Sequence, residues 1–337
     1  MKFITELGLE VRDLAFGAHR IPSRIARRVS RALQTARAPT VRADEGPVEL
    51  ETAEDRLWAI ICPSLDEYRA YVSLNASLLE RRDALERAIV PQAADYFAVD
   101  AYCSVCRRTR RLHVDILFGE RGAPNWRERL VCGHCKLPNR IRAVYDFLDS
   151  TVQPGPNAAI YVMEQSTPFF RALSRRYAHV IGSEHLGNGV PLGARNRWGI
   201  RNEDLTRLTL DSGSVDVIVA TDVLEHVPNY GAALAECFRS LKEGGSLIVT
   251  VPFVLESPTT LVRARVRDDA SIEYCLPPEY HGDPLHSRGA LCYYHFGWDF
   301  LDHLREAGFS GVCLRLYWSF RRGYLGGMQL MITAQKA

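Results

Sequence analysis

Between Ser214 and Phe253 two apolar runs, each too short for a helix, flank a segment whose apolar residues recur every three to four positions. Val215, Val217, Ile218 and Val219 make the first run, and it ends in Thr221 and Asp222. Such a run reads as a strand buried on both faces that delivers polar groups at its carboxyl end. Leu234, Cys237, Phe238 and Leu241 predict a helix from Tyr230 to Lys242, and Gly244-Gly245 supplies left-handed residues to close it. The second run, Ser246 to Val251, stops at Pro252. Strand, helix and strand form a right-handed crossover in a parallel sheet, and open parallel sheets bind ligands beyond the carboxyl ends of their strands.

The rest of the 151–337 region extends that sheet. Ala159 to Met163 is its first strand, with Glu164 at the carboxyl end; a helix from Phe169 to Tyr177 and a strand from His179 to Ser183 follow. Trp298 to Ala307 reads as a helix closed by Gly308, and Val312 to Trp318 and Met328 to Thr333 as terminal strands. Residues 254–297 interrupt this order as an insertion centred on Pro277 to His286, a run too polar for core.

Two CxxC pairs, Cys103/Cys106 and Cys132/Cys135, are separated by 25 residues. Each pair puts two thiolates on one knuckle, and two knuckles complete a four-sulfur tetrahedron, so 101–150 is expected to be a zinc ribbon with structural zinc. His113 and His134 read as non-ligands. The remaining five of the nine cysteines are scattered in apolar surroundings, as reduced buried thiols would be.

Upstream, Ile21, Ile25, Val29 and Leu33 alternate with arginines in a basic amphipathic helix, and an acidic linker closes the 1–56 segment. The helix could dock on an anionic surface or pack on its own protein with a solvated arginine face. Residues 57–100 read as helical, with one helix from Ser64 to Pro91 whose near-heptad spacing suits internal packing, ligand cover or a homodimer contact. The formal charge of +2 gives no global pull toward nucleic acid, although arginines crowd the ribbon. No run of eighteen apolar residues suggests a transmembrane segment, and the acidic residues near the start do not suit a signal peptide, so a cytoplasmic protein is expected.

Asp222-Val223-Leu224-Glu225-His226-Val227, a helix, Leu241 to Gly245 and a strand ending in Val251-Pro252-Phe253 resemble the class I methyltransferases that use S-adenosylmethionine. The resemblance covers about residues 155 to 337. It implies a Rossmann-like α/β sheet with helices on both faces, and transfer of a methyl group to oxygen or nitrogen of a small-molecule or glycan-like acceptor. By resemblance, Glu164, Gly182 and Glu184 line the cofactor crevice, Glu184 taking the ribose hydroxyls, and Asp204 and Leu205 contact adenine. Asp222 and His226 would face the methyl group or the acceptor, and His281 is the candidate general base. One departure stands out: Glu164-Gln165-Ser166-Thr167-Pro168 occupies the family's glycine-rich turn without a glycine. Methionine-end binding must then use side chains or another loop path. Two further readings stay open, a catalytically inactive scaffold and an RNA or protein methyltransferase using the basic ribbon.

Overall fold

The computed structural model describes residues 39–43, 48–52, 56–92, 95–116, 119, 123–283, 285 and 288–337. The basic helix of residues 20–37 lies outside them.

The smaller sheet pairs β1 (Thr40–Arg42) in parallel with β3 (Tyr96–Cys103), which continues antiparallel through β4 (Arg108–Asp115) to β5 (Val131–Cys132). The larger sheet has seven strands. These are β2 (Ile60–Cys62), β6 (Ala159–Val162), β7 (His179–Gly182), β8 (Val215–Thr221), β9 (Leu241–Thr250), β10 (Ser310–Ser319) and β11 (Tyr324–Gln335), in spatial order β2-β10-β11-β9-β8-β6-β7. β7, β6, β8 and β9 are parallel, and β11 returns antiparallel to β9. The chain leaves β6 in one direction for β7 and resumes on the other side with β8, so the order reverses between β6 and β8. That reversal makes the crevice beyond their tips the place for a ligand.

The apolar runs are buried on both faces, as their composition requires. Ile160, Val162, Val217, Val219 and Ile248 pack with α3 (Asn139–Phe147) and α4 (Pro168–Arg176), and Tyr161, Val215, Ile218, Leu247 and Val249 pack with α5 (Tyr230–Ser240) and α6 (Asp299–Glu306). The mixed α/β sheet with flanking helices agrees with the expectation.

Several boundaries differ, each for a local reason. α5 stops at Ser240 rather than Lys242, because Leu241 is fully buried and already pairs with Val215. The C-terminal segment holds the next residues extended: Gly244 N donates to Lys336 O, and Lys336 N to Gly245 O. The helix expected from Ser64 to Pro91 is two, α1 (Leu65–Leu74) and α2 (Ala76–Ala88), broken at Asn75, whose backbone and side-chain N–H groups both bond Tyr71 O. Ile60–Cys62, in a segment read as helical, pairs with β10 and extends the sheet. Among the scattered cysteines, Cys275 is exposed and Cys292 sits among histidines rather than in apolar surroundings.

α2 turns a polar group inward. Glu86 is buried and accepts from Trp318 Nε1 (2.8 Å), Gly326 N (2.8 Å) and Gly327 N (3.0 Å), tying α2 to the β10–β11 hairpin. Glu86→Ala strands these donors and is expected to cost about 2–3 kcal/mol, read as a lower midpoint in chemical denaturation. An unchanged midpoint would show that water replaces the carboxylate.

The insertion after Phe253 is not a surface loop throughout. Phe296 bridges Phe253, and Tyr293 N donates to Glu225 O (2.7 Å), which folds the segment back over the β8 tip. Among the described residues, no helix is long and apolar enough to cross a membrane.

Candidate active site

At the tip of β6, Glu164 Oε1 accepts from Thr221 Oγ1 (2.6 Å), which closes the floor of the crevice between β6 and β8. Burial raises the Glu164 carboxyl above its ordinary range. Asp222 follows with φ +51°, an uncommon conformation for a residue with a side chain. Its backbone N donates to Thr250 O (2.8 Å), and its carboxylate meets Arg127 in a two-pronged pair, both contacts at 2.6 Å. Arg140 lies 3.2 Å from the same carboxylate and also holds Glu128. Burial opposes the charge on Asp222, but the two guanidiniums outweigh it and hold the carboxyl well below the usual carboxylate range. Asp222 is therefore an ion-pair anchor, not a free acid or base beside a methyl group.

The glycine-free turn is held by hydrogen bonds. Glu184 Oε1 accepts from Gln165 N (2.8 Å), Ser166 N (2.7 Å) and the Ser166 hydroxyl. Gln165 in turn ties the turn to the 196–201 loop, donating to Gly199 O and accepting from Arg201 N. No residue from 164 to 168 has a positive φ, so the backbone path needs no glycine. Gly182 is needed for packing: a Cβ there would lie 2.5 Å from the Phe170 ring and 2.7 Å from Glu164 O. It lets the first turn come close to β7. Asp204 Oδ1 accepts from Thr206 N and Oγ1 while Oδ2 takes Arg207, and Leu205 packs half-buried on the core.

The histidines have structural partners. His226 Nδ1 bonds Leu291 O (2.8 Å) and fixes the insertion to the turn after β8. Both ring nitrogens of His281 face carboxylates, Nδ1 at 3.5 Å from Glu225 Oε1 and Nε2 at 2.9 Å from Glu279 Oε1, so it does not stand free as the general base expected of it.

Cys103, Cys106, Cys132 and Cys135 converge, with Sγ atoms within 4.8 Å of one another and no disulfide. Cys103–Cys135 and Cys106–Cys132 are 3.8 and 3.9 Å apart, close to the roughly 3.8 Å edge of a tetrahedron with metal–sulfur bonds of about 2.3 Å. Arg107 and Lys136, each following the second cysteine of a pair, have φ of +53° and +65°, so both knuckles turn the same way. The donor set and spacing fit a closed structural metal site.

Sequence reasoning missed Arg127 and Arg140 as site residues, grouping them with the basic ribbon. The loop carrying Arg127 is fastened to the start of α3 by Asn139 N to Arg129 O (3.0 Å) and Arg140 N to Arg127 O (3.2 Å). Arg142 also turns inward, donating to Arg322 O and Gly323 O, and Arg129 pairs with Asp115. Much of the ribbon's charge thus serves the fold rather than a nucleic-acid face.

Residues 167–249, from the start of α4 through most of β9, match the family model described as a methyltransferase domain. A curated relative from Mycolicibacterium smegmatis, named a probable S-adenosylmethionine-dependent methyltransferase, is 41% identical over 56 residues, which are 17% of this chain and 22% of that protein. The chain thus spans about a fifth of the curated relative it matches. Among solved structures, an S-adenosylmethionine-dependent methyltransferase from Mesorhizobium loti is 15% identical, covering 57% of this chain and 97% of that one at a TM-score of 0.38. The 1,6-didemethyltoxoflavin-N1-methyltransferase from Burkholderia thailandensis is 16% identical over 58% and 78% of the two chains, at 0.36.

Proposed function

We propose that the chain is an enzyme that transfers the activated methyl of S-adenosylmethionine to an oxygen or nitrogen of a small-molecule or glycan-like acceptor. The observation carrying this reading is the methyltransferase-domain match over 167–249, which takes in β7, β8 and the segments that follow their tips. The nucleoside lies between Glu184 and the Asp204–Leu205 turn, with Glu184 facing the ribose. The methionine carboxylate is held by side chains, Arg140 and Arg127 being the nearby cations, which answers the missing glycines. Because the sulfonium supplies the reactivity, these residues bind and align, and little acid or base machinery is required. The four cysteines hold a structural zinc that stiffens the hairpin next to the Arg127 loop. With no coordination position left open, that ion takes no part in the transfer.

Calorimetric titration with S-adenosylmethionine tests the reading. Glu184→Gln, which keeps an oxygen for the first turn but loses the charge, is expected to weaken binding by about 10- to 100-fold, as loss of charged hydrogen bonds does. The Arg127–Asp222 pair across the crevice mouth favours a second reading, a binding protein that no longer takes the cofactor. No heat with the intact chain would leave only that one.

A further inference from the structure

The turn after β8 sets Glu225 beside His226, and the folded-back insertion lays His281 on both. Glu225 is fully buried, and among the described residues neither of its carboxylate oxygens has a hydrogen-bond partner. Leaving a buried carboxylate in that state costs several kcal/mol by the usual order of magnitude, so the site calls for a cation. His281 Nδ1 lies 3.5 Å and His226 Nε2 3.7 Å from Glu225 Oε1, beyond a good hydrogen bond. The three ligand atoms fall within 4.8 Å of one another.

The far nitrogens are already anchored. His226 Nδ1 bonds the Leu291 carbonyl at 2.8 Å, and His281 Nε2 bonds Glu279 Oε1 at 2.9 Å. A carbonyl or carboxylate on the far nitrogen is the support that metal-bound imidazoles carry, since it fixes the tautomer and turns the free nitrogen inward. The rings stand at 83° with centroids 5.0 Å apart.

We propose that Glu225, His226 and His281 bind a divalent first-row transition ion, with zinc as the probe. Two imidazoles and one carboxylate suit such an ion better than calcium or magnesium, and they leave coordination positions open for a ligand oxygen. The neighbouring Glu279, Cys292 and His295 also cluster within 4.8 Å. Glu279, however, is engaged by both histidines and by Arg263 at 3.0 Å, and Cys292 Sγ donates to Tyr294 O, so that group lacks an unanswered charge. The site lies three residues beyond Asp222, where an ion could hold an acceptor oxygen. Its existence does not depend on whether the chain binds S-adenosylmethionine.

The full chain, stripped of metal under reducing conditions and refilled with Zn²⁺, is to be assayed by elemental analysis and with Co²⁺ by visible absorption. Glu225→Gln, of nearly the same shape, is expected to hold about one equivalent less than the parent while keeping the intense thiolate bands of cobalt at the four cysteines. Cys292→Ser is expected to match the parent. His281→Gln, at a half-exposed position, gives the same reading should Glu225→Gln fail to fold. Equal metal content in the parent and the Glu225→Gln or His281→Gln chain overturns the proposal. So does loss in Cys292→Ser with retention in Glu225→Gln, which would assign the ion to the neighbouring group.

Discussion

Replacing Asp222 by asparagine is expected to destabilise the chain by about 3–5 kcal/mol, the cost typical of breaking a buried ion pair on one side. Asparagine preserves the shape and tolerates the positive φ, so the loss reports the charge. What remains is Arg127 beside Arg140 with Glu128 as their shared acid, and Arg127 loses a two-pronged partner at 2.6 Å. Asp222→Ala should cost more, since it adds backbone strain. Combining Arg127→Met with Asp222→Leu should recover part of the loss seen with Asp222→Leu alone, because an apolar pair leaves no uncompensated charge while Arg140 keeps Glu128. The pH dependence has a definite sign. The Asp222 carboxyl is depressed in the folded chain, so its contribution is fully present above the unfolded value of about 3.9 and disappears as pH falls through the folded one. Denaturation midpoints measured from neutral to acid pH should therefore converge for the parent and Asp222→Asn. A constant gap between them would remove the charge argument.

The parts of the fold that could be read from sequence are those with a local cause. β8 and the second half of β9, Leu247 to Thr250, are buried on both faces, and buried parallel strands admit little but apolar residues, so their composition announces them. The four cysteines are similar within each pair, where spacing brings two thiols together, and the β3–β4–β5 pairing then joins the two pairs. The crevice was harder because its chemistry comes from residues distant in sequence. Arg127 meets Asp222 across 95 positions, and nothing in a run of arginines marks which one turns inward. Glu184 follows β7 by two residues, and its bonds to Gln165 and Ser166 depend on how the first turn closes, which the sequence does not announce. Gly182 was given to the cofactor crevice by resemblance, and in the fold it also lets the Phe170 ring and Glu164 O come close to β7. His281 was read as a general base and Cys292 as a core thiol, and neither reading could foresee that the insertion folds back to set His281 beside Glu225.

The other large effect is expected at the cysteines, where Cys132→Ser should abolish zinc binding to the ribbon and unfold the β3–β4 hairpin. Zinc binding by small structural sites amounts to about 10–16 kcal/mol in apparent free energy at neutral pH, and here it would be linked to the folding of the hairpin. The consequence should reach the crevice by a traceable route. Phe97 and Leu112 of the hairpin share a core with Trp318, Phe320 and Leu325 of the larger sheet, and the Phe97 ring meets Trp126 edge-on with centroids 6.0 Å apart. Trp126 immediately precedes Arg127, so loss of the hairpin should free the Arg127 loop and leave Asp222 with Arg140. Chelation of the parent chain should lower its melting midpoint at least as far as Cys132→Ser does, and reductant alone should not, since no disulfide is present. Chelation and Cys132→Ser should each also weaken S-adenosylmethionine binding, although no cysteine lies at the β6–β8 tips. A chelated chain that melts like the parent would reduce the four thiols to a cluster without a structural ion, and the Arg127 loop would then have to be held by Asn139 and Arg140 alone.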